Sequence, residues 1–268
     1  MPKILLILLL FSLSLIPNWN QVKHLGQFQV HFLDIGQGDS ILIRTPTNCT
    51  IFIDGGPGNT LTDNLYKYLP ATERKIDLMV LSHPHLDHMQ GLINLLNRYQ
   101  VDNLFTTGVP YQSSFYTEFT RLSATTNVHY PITGQNYQLC GLEIQIIYPI
   151  QPMLATEIEN INNASIVMRI KIKDIWLYLP GDAEEEAEHE ILGLGLDLKS
   201  DIMKAGHHGS QTSNSLEMLK AVQPKELVIQ SGEGNTYNHP HFKTLQSAHA
   251  LGIKVRRNDT EGTVSYYF

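Results

Sequence analysis

The segment LSHPHLDHMQGL, Leu81 to Leu92, carries three histidines and an aspartate within six residues: His83, His85, Asp87 and His88. A buried histidine needs a partner for each ring nitrogen, so four such groups crowded together are hard to satisfy except around a cation. Imidazole combined with carboxylate suits zinc, manganese or iron. Alternate residues of an extended loop point to one side, which lets His83 and His85 share one ion. Asp87 and His88 open the next turn and reach towards a second. An isolated H-x-H would say little, whereas the full H-x-H-x-D-H behind a hydrophobic strand is a specific signal.

A pair of ions needs more ligands, and a bridging carboxylate is the usual economy. LYLPGD offers Asp182, KAGHHGS offers His207 and His208, and YNHPH offers His239 and His241. Each follows a hydrophobic strand. Two cations about 3.5–4 Å apart clamp an in-line displacement and generate hydroxide near neutral pH. A metal-bridging hydroxide of this kind attacks phosphodiesters, amides, lactams or thioesters, and fold alone does not choose among them. Asp34 and Asp39 flank the glycine turn of LDIGQGDS and are candidate active-site carboxylates, although aspartate also caps such turns. Asp54, before GGPG, reads as an acceptor that orients the histidine cluster. His24, His31, His129, His189 and His249 have no clustered partners and read as ordinary surface or satisfied histidines. The acidic run Glu184 to Glu190 reads as a solvated helix face.

The elements that must position these groups are legible from periodicity. FQVHFLDIGQGDSILIRTP reads as two strands broken at GQG, and CTIFIDGG as a third. Residues 60–69 read as a helix, IDLMVLSH as a buried strand, and MQGLINLLNRY as a helix with Leu92, Leu95 and Leu96 on one face. A helix is expected near 113–123. SIVMRIKI and DIWLYLPGD form a hairpin-like pair, followed by an acidic helix. Three β/α alternations come next, with helices near 213–221 and 241–251, and GTVSYYF closes the chain as a strand. The polar residues sit just after the strands, which builds a site at one edge of a rigid sheet.

At 268 residues and 42% hydrophobic, the chain suits one large domain. A net charge of −7 with no basic run gives no electrostatic sign of a nucleic-acid binder, although bound metals would offset this locally. Cys49 and Cys140 lack C-x-x-C spacing and read as two isolated thiols, with a single disulfide as the alternative for an exported protein. Residues 1–20 carry Lys3 and an apolar run to Ile16 that is short for a membrane span of ~20 residues. They read as a signal peptide or N-terminal membrane anchor. The expected location is therefore exported, or attached to the outer face of the membrane.

The ordered set FLDIGQGDSILI, IFIDGG, LSHPHLDHMQGL, NNASIVMRI, LPGDAEEE, IMKAGHHGS and YNHPH resembles the metallo-β-lactamase fold. Within that fold it is similar to the C-terminal domain of ComEC-type DNA-uptake proteins. The resemblance implies an α/β fold over residues 26–268: a four-layer αββα sandwich of two mixed β-sheets flanked by helices. It implies a binuclear metal-dependent hydrolase, a phosphodiesterase or nuclease acting on DNA, with two divalent ions, zinc or manganese. His83 and His85 would hold one ion, Asp87, His88 and His208 the other, and Asp182 would bridge. His207 and His239, with Asp39, would be the catalytic groups. Asp34, Asp54, Asn163 and Ser165 would support the ligands or touch substrate. The usual isolated histidine of the fold is absent, and an N-x-x-S segment that includes Ser165 stands in that region. An amide oxygen there favours manganese or magnesium, whereas His85, where many ComEC-type domains carry aspartate, favours zinc. Lys204, Lys243 and Arg44 are candidate DNA contacts, and no protein partner is implied. The alternatives are an exported hydrolase of another ester, a cell-wall phosphodiester or a lactam, and a non-catalytic binding module. The intact Asp87 and Asp182 argue against the last.

Overall fold

In the computed structural model, residues 23–268 are described, so the expected leader at 1–20 lies outside the described residues. The first half of the chain runs β1 (Gln29–Phe32), β2 (Ile41–Arg44), β3 (Thr50–Ile53), α1 (Thr60–Asn64), β4 (Lys75–Val80), α2 (Leu86–Leu96), β5 (Gln100–Phe105), α3 (Ser114–Ser123) and β6 (Asn127–His129). The second half runs β7 (Asn136–Leu139), β8 (Leu142–Tyr148), β9 (Val167–Ile172), β10 (Ile175–Leu179), α4 (Glu185–Gly193), β11 (Ile202–Lys204), α5 (Leu216–Val222), β12 (Glu226–Ile229), α6 (Phe242–Ala250), β13 (Lys254–Arg257), α7 (Asn258–Glu261) and β14 (Val264–Tyr267).

These strands form two seven-stranded sheets, ordered β14-β1-β2-β3-β4-β5-β6 and β13-β12-β11-β10-β9-β8-β7. Each is mixed: hairpin-linked antiparallel strands on one side, parallel strands joined through helices on the other. Strand alternation explains the layers. Val30 and Phe32 of β1 and Ile41 and Ile43 of β2 face the second sheet and join Ile144, Ile170 and Leu177 in one buried cluster. Leu42, Phe52 and Met79 point the other way, onto Met89, Leu92 and Leu95 of α2. On the far side Tyr178 and Met203 meet Ala187, Met218 and Ala248 of the C-terminal helices. The expected four-layer αββα sandwich is what forms.

Three local readings need correction. The helix expected over 60–69 ends at Asn64 and tightens into a 3₁₀ turn over Leu65–Lys67. The helix expected from 213 starts at Leu216, because Ser215 caps it by accepting from Met218 N at 3.1 Å. Cys49 and Cys140 are not isolated thiols: they form a disulfide with a Cα–Cα distance of 6.2 Å across 91 residues of chain. It ties the turn before β3 in one sheet to the turn between β7 and β8 in the other.

Candidate metal centre

The site gathers at the ends of β3, β4, β10 and β11, where chain from both sheets meets. His83 follows β4, and His85 is the N-cap residue of α2, so Asp87 and His88 lie in that helix's first turn. The helix can approach because Gly91 has no side chain: a Cβ there would sit 1.9 Å from the carbonyl oxygen of Gly55. That contact puts His88 against Asp54. His88 Nδ1 donates to Asp54 Oδ2 at 2.8 Å, and Asp54 also accepts from Ser82 N at 2.8 Å and Ser82 Oγ at 2.7 Å. With Nδ1 so fixed, Nε2 faces inward, 3.1 Å from Asp182 Oδ2.

His207 and His208 follow β11 in a tight turn, Gly206–Gly209, with φ of 46° and 53°. Left-handed backbone at two successive histidines costs of order 1–3 kcal/mol each and is a mark of functional sites. The turn sends the two rings to different places. His208 is buried, its Nδ1 3.0 Å from the Gln230 carbonyl and its Nε2 3.2 Å from both Asp87 Oδ2 and Asp182 Oδ2. His207 is partly exposed in the cleft, its Nδ1 2.9 Å from Glu184 Oε1 and its Nε2 3.9 Å from Asp182 Oδ2. On the opposite wall His83 Nε2 and His85 Nδ1 lie 3.1 Å apart. Ser165 Oγ accepts from Asp182 N at 3.0 Å and lies 3.4 Å from His83 Nδ1.

These residues fit a cation. His83, His88 and Asp182 form one group with ligand atoms mutually within 4.8 Å, and Asp87, His88 and His208 form another. His208 Nε2 is buried and faces two carboxylate oxygens, Asp87 Oδ2 and Asp182 Oδ2, at 3.2 Å without a well-aligned hydrogen bond to either, as a ligand nitrogen would. The electrostatics agree. Burial opposes charge on His88, but Asp182, Asp54 and Asp87 outweigh it and hold the imidazole well above its ordinary pKa. His208 is raised in the same way by Asp182 and Asp39. His83 goes well below, through burial first and then the positive His88. Burial works to raise Asp182, yet His208, His88 and Lys204 hold it well below the usual carboxylate range. Ionised carboxylates matched by protonated imidazoles form a set in which an arriving metal would displace the imidazole protons.

Several expected site residues lie elsewhere. Asp34 is exposed and accepts from Gly36 N at 3.4 Å, in a separate recess beside Tyr68 and Thr263. It is a turn residue. Asp39 is buried behind His208, its Oδ1 3.2 Å from His208 Nδ1, so it braces the ligand without reaching the cleft. Asn163 is tied to the start of α4, accepting from Glu184 N at 2.9 Å and donating to Glu186 at 3.1 Å, and is not turned to the cluster. His241 is spent on the N-cap of α6, its Nδ1 accepting from Lys243 N at 3.2 Å. None of the candidate DNA contacts converges on the mouth. Lys204 is buried in the cluster, Arg44 is buried against Tyr68 O and Glu73, and Lys243 pairs with Glu185 at 2.9 Å. The acidic run is not wholly a solvated face. Glu184 accepts from the side chains of Asn160 and Asn162, and buried Glu188 caps Asn214 N and Ser215 N at 2.6 and 2.9 Å. The open side is a cleft of about 580 Å³ lined in part by His85, Asp87, His207, His208, Tyr237 and His239. Among the described residues, no lysine or arginine lines it.

Fold and site together define a protein of the metallo-β-lactamase fold, and the Metallo-beta-lactamase superfamily matches residues 33–104. Over residues 33–104 the chain matches a metallo-β-lactamase domain, and competence proteins are among the curated relatives it is similar to. It is 29% identical over 262 residues to ComE operon protein 3 of Bacillus subtilis (strain 168), covering 90% of this chain and 33% of that protein. It is 32% identical over 238 residues to Competence protein ComA of Neisseria gonorrhoeae, covering 87% and 31%. The chain thus spans about a third of the length of the curated relatives it matches. Among solved structures, the metallo-β-lactamase fold protein YhfI of Bacillus subtilis matches with a TM-score of 0.60 at 14% identity, covering 90% of this chain and 100% of that one, a likeness of fold alone.

Proposed function

We propose that this chain is a metal-dependent phosphodiesterase that cuts DNA outside the cytoplasm. One observation carries the reading: ligand-type side chains from both sheets, His83, His85, Asp87, His88, Asp182 and His208, converge at a cleft that His207 and His239 also line. His83, His85, Asp87, His88, Asp182 and His208 would hold divalent metal, zinc or manganese, which would supply Lewis acidity and activate a water. The protein's own groups do the rest. Asp54 and the Gln230 carbonyl each fix one ring nitrogen, turning Nε2 of His88 and of His208 to the cluster. Glu184 beside His207 Nδ1 leaves His207 Nε2 to carry a proton to the departing oxygen, with His239 5.5 Å away, ring to ring, as the second candidate donor. DNA as the substrate is supported by the similarity to competence proteins. An extracytoplasmic location is supported by the Cys49–Cys140 disulfide, since such bonds persist in oxidising compartments, and attachment through residues 1–20 by their apolar run alone.

A second reading, hydrolysis of a smaller ester or a cell-wall phosphodiester, is favoured by the lack of lysine or arginine along the cleft among the described residues. The experiment strips the protein with chelator, restores manganese, zinc or magnesium, and offers single-stranded DNA and bis-p-nitrophenyl phosphate, with Asp182→Ala beside it. Metal-restored DNA cleavage that is lost in the variant supports the nuclease. Turnover of the small diester without DNA cleavage moves the substrate to the second reading, and turnover of neither sinks both.

A further inference from the structure

Lys204 ends β11 with its side chain 1% exposed, a rare position for a lysine. A buried ammonium costs several kcal/mol unless it is paired. Its Nζ donates to Gly181 O at 2.7 Å and Asp182 Oδ1 at 3.1 Å, and it touches Asp39 Oδ2 directly. The two oxygens of Asp182 are therefore divided. The three imidazoles within 4 Å of this carboxylate, His88, His208 and His207, come to Oδ2, at 3.1, 3.2 and 3.9 Å. Oδ1 goes to the ammonium.

The inner side of the cluster is itself built like a metal site. Asp39, Asp182 and His208 offer ligand atoms that all lie within 4.8 Å of one another, and all three residues are buried. We propose that Lys204 is the resident cation of this inner donor set: its ammonium occupies the charge position that a divalent ion would take, and it restricts Asp182 to one oxygen, Oδ2, for ions on the cleft side. Lys204 is thus a positioning residue that sets how many ions the cluster accepts. The inference rests on the metal reading of the site and is independent of the substrate.

The test counts bound metal. The full chain and its variants are loaded with manganese or zinc, dialysed, and assayed for metal per chain. Lys204→Ala removes the charge and opens room, so it should hold one divalent ion more than the wild type, and its metal-induced rise in Tm should be the larger. Lys204→Arg should restore the wild-type count. Lys204→Met, neutral and close in volume, should gain no ion. Adding Asp39→Asn to Lys204→Ala removes an inner ligand and should return the count to that of the wild type. An unchanged count in Lys204→Ala would make the lysine mere filling and overturn the proposal. So would a Lys204→Ala chain that fails to fold even with metal present, because the proposal requires a divalent ion to replace the ammonium. A wild type that takes up no ion at all fails the metal reading itself. A wild type that loads normally beside a variant with the same count fails only the role of Lys204.

Discussion

The two walls of the cleft are braced by different chemistry. On one wall, His88 and His208 are locked by charge: Asp54 behind the first, Asp39 behind the second, Asp182 before both, and Lys204 tying the carboxylates together. On the other, His83 is held by hydroxyls, Ser82 Oγ at 3.1 Å and Ser165 Oγ at 3.4 Å, and His85 by the edge of Tyr111, ring centroids 5.8 Å apart. The contrast shows in the rings themselves, since the first pair is pushed towards the cation and His83 towards the neutral form. Neutral imidazole is already the ligand form, but a hydroxyl orients it weakly. Charge-assisted bonds hold the first wall more strongly, and an ion there should be held more tightly.

Asp182 serves both walls, so its removal should have the largest effect. In Asp182→Ala, metal-dependent hydrolysis of bis-p-nitrophenyl phosphate should fall to background and metal content should drop; retention of both would break the comparison. His207→Ala should lower kcat by about 10²–10⁴ while leaving metal content near that of the wild type, as for a proton donor and not a ligand. A buried histidine outside both walls gives the reference. His31, packed against Tyr68 and Tyr267, is lowered to about 4 by burial, then by Arg44 and His24. Its folded pKa lies below the unfolded 6.5, so the unfolded chain takes up the proton first as pH falls. Stability present above pH 6.5 should be lost progressively down to about 4, by about 3 kcal/mol. His31→Gln should flatten that part of the urea-denaturation profile. Asp54→Asn should weaken metal binding by about 10–100-fold, the usual cost of losing a carboxylate behind a ligating histidine. Ser165→Ala should cost less than Asp54→Asn in the same titration. A reversed order would mean that the hydroxyl wall, not the charged one, sets affinity.

What the sequence made legible was whatever a few neighbouring residues specify. Histidines 83, 85 and 88 with Asp87 stand together because a strand end and a helix start are local, and Asp182 and His208 follow strands that alternate plainly. Asp54 was readable too, because aspartate before two glycines at a strand end has little else to do. What stayed hidden depends on partners distant in sequence. Lys204 read as a candidate DNA contact because lysine is nearly always at the surface, and only its meeting with Asp39 and Asp182 makes it internal. Asp39 and Asp34 flank the same turn, yet one points into the cluster and the other into solvent, and composition gives both the same weight. The expectation of two separate thiols failed for the same reason, since the cysteines belong to turns of different sheets. Glu184 and Glu188 were lost in a run of acids whose members have different neighbours.

The disulfide encloses more than its two turns. Residues 49–140 form a covalent ring, and His83, His85, Asp87 and His88 all lie inside it, whereas Asp182, His207 and His208 lie outside. A protease that cuts an exposed turn of the ring, such as the one around Tyr66, leaves every ligand on a single covalent molecule. A nick inside the ring is therefore survivable, whereas a single cut between Cys140 and Asp182, where Leu154 is exposed, parts the two sets of ligands covalently.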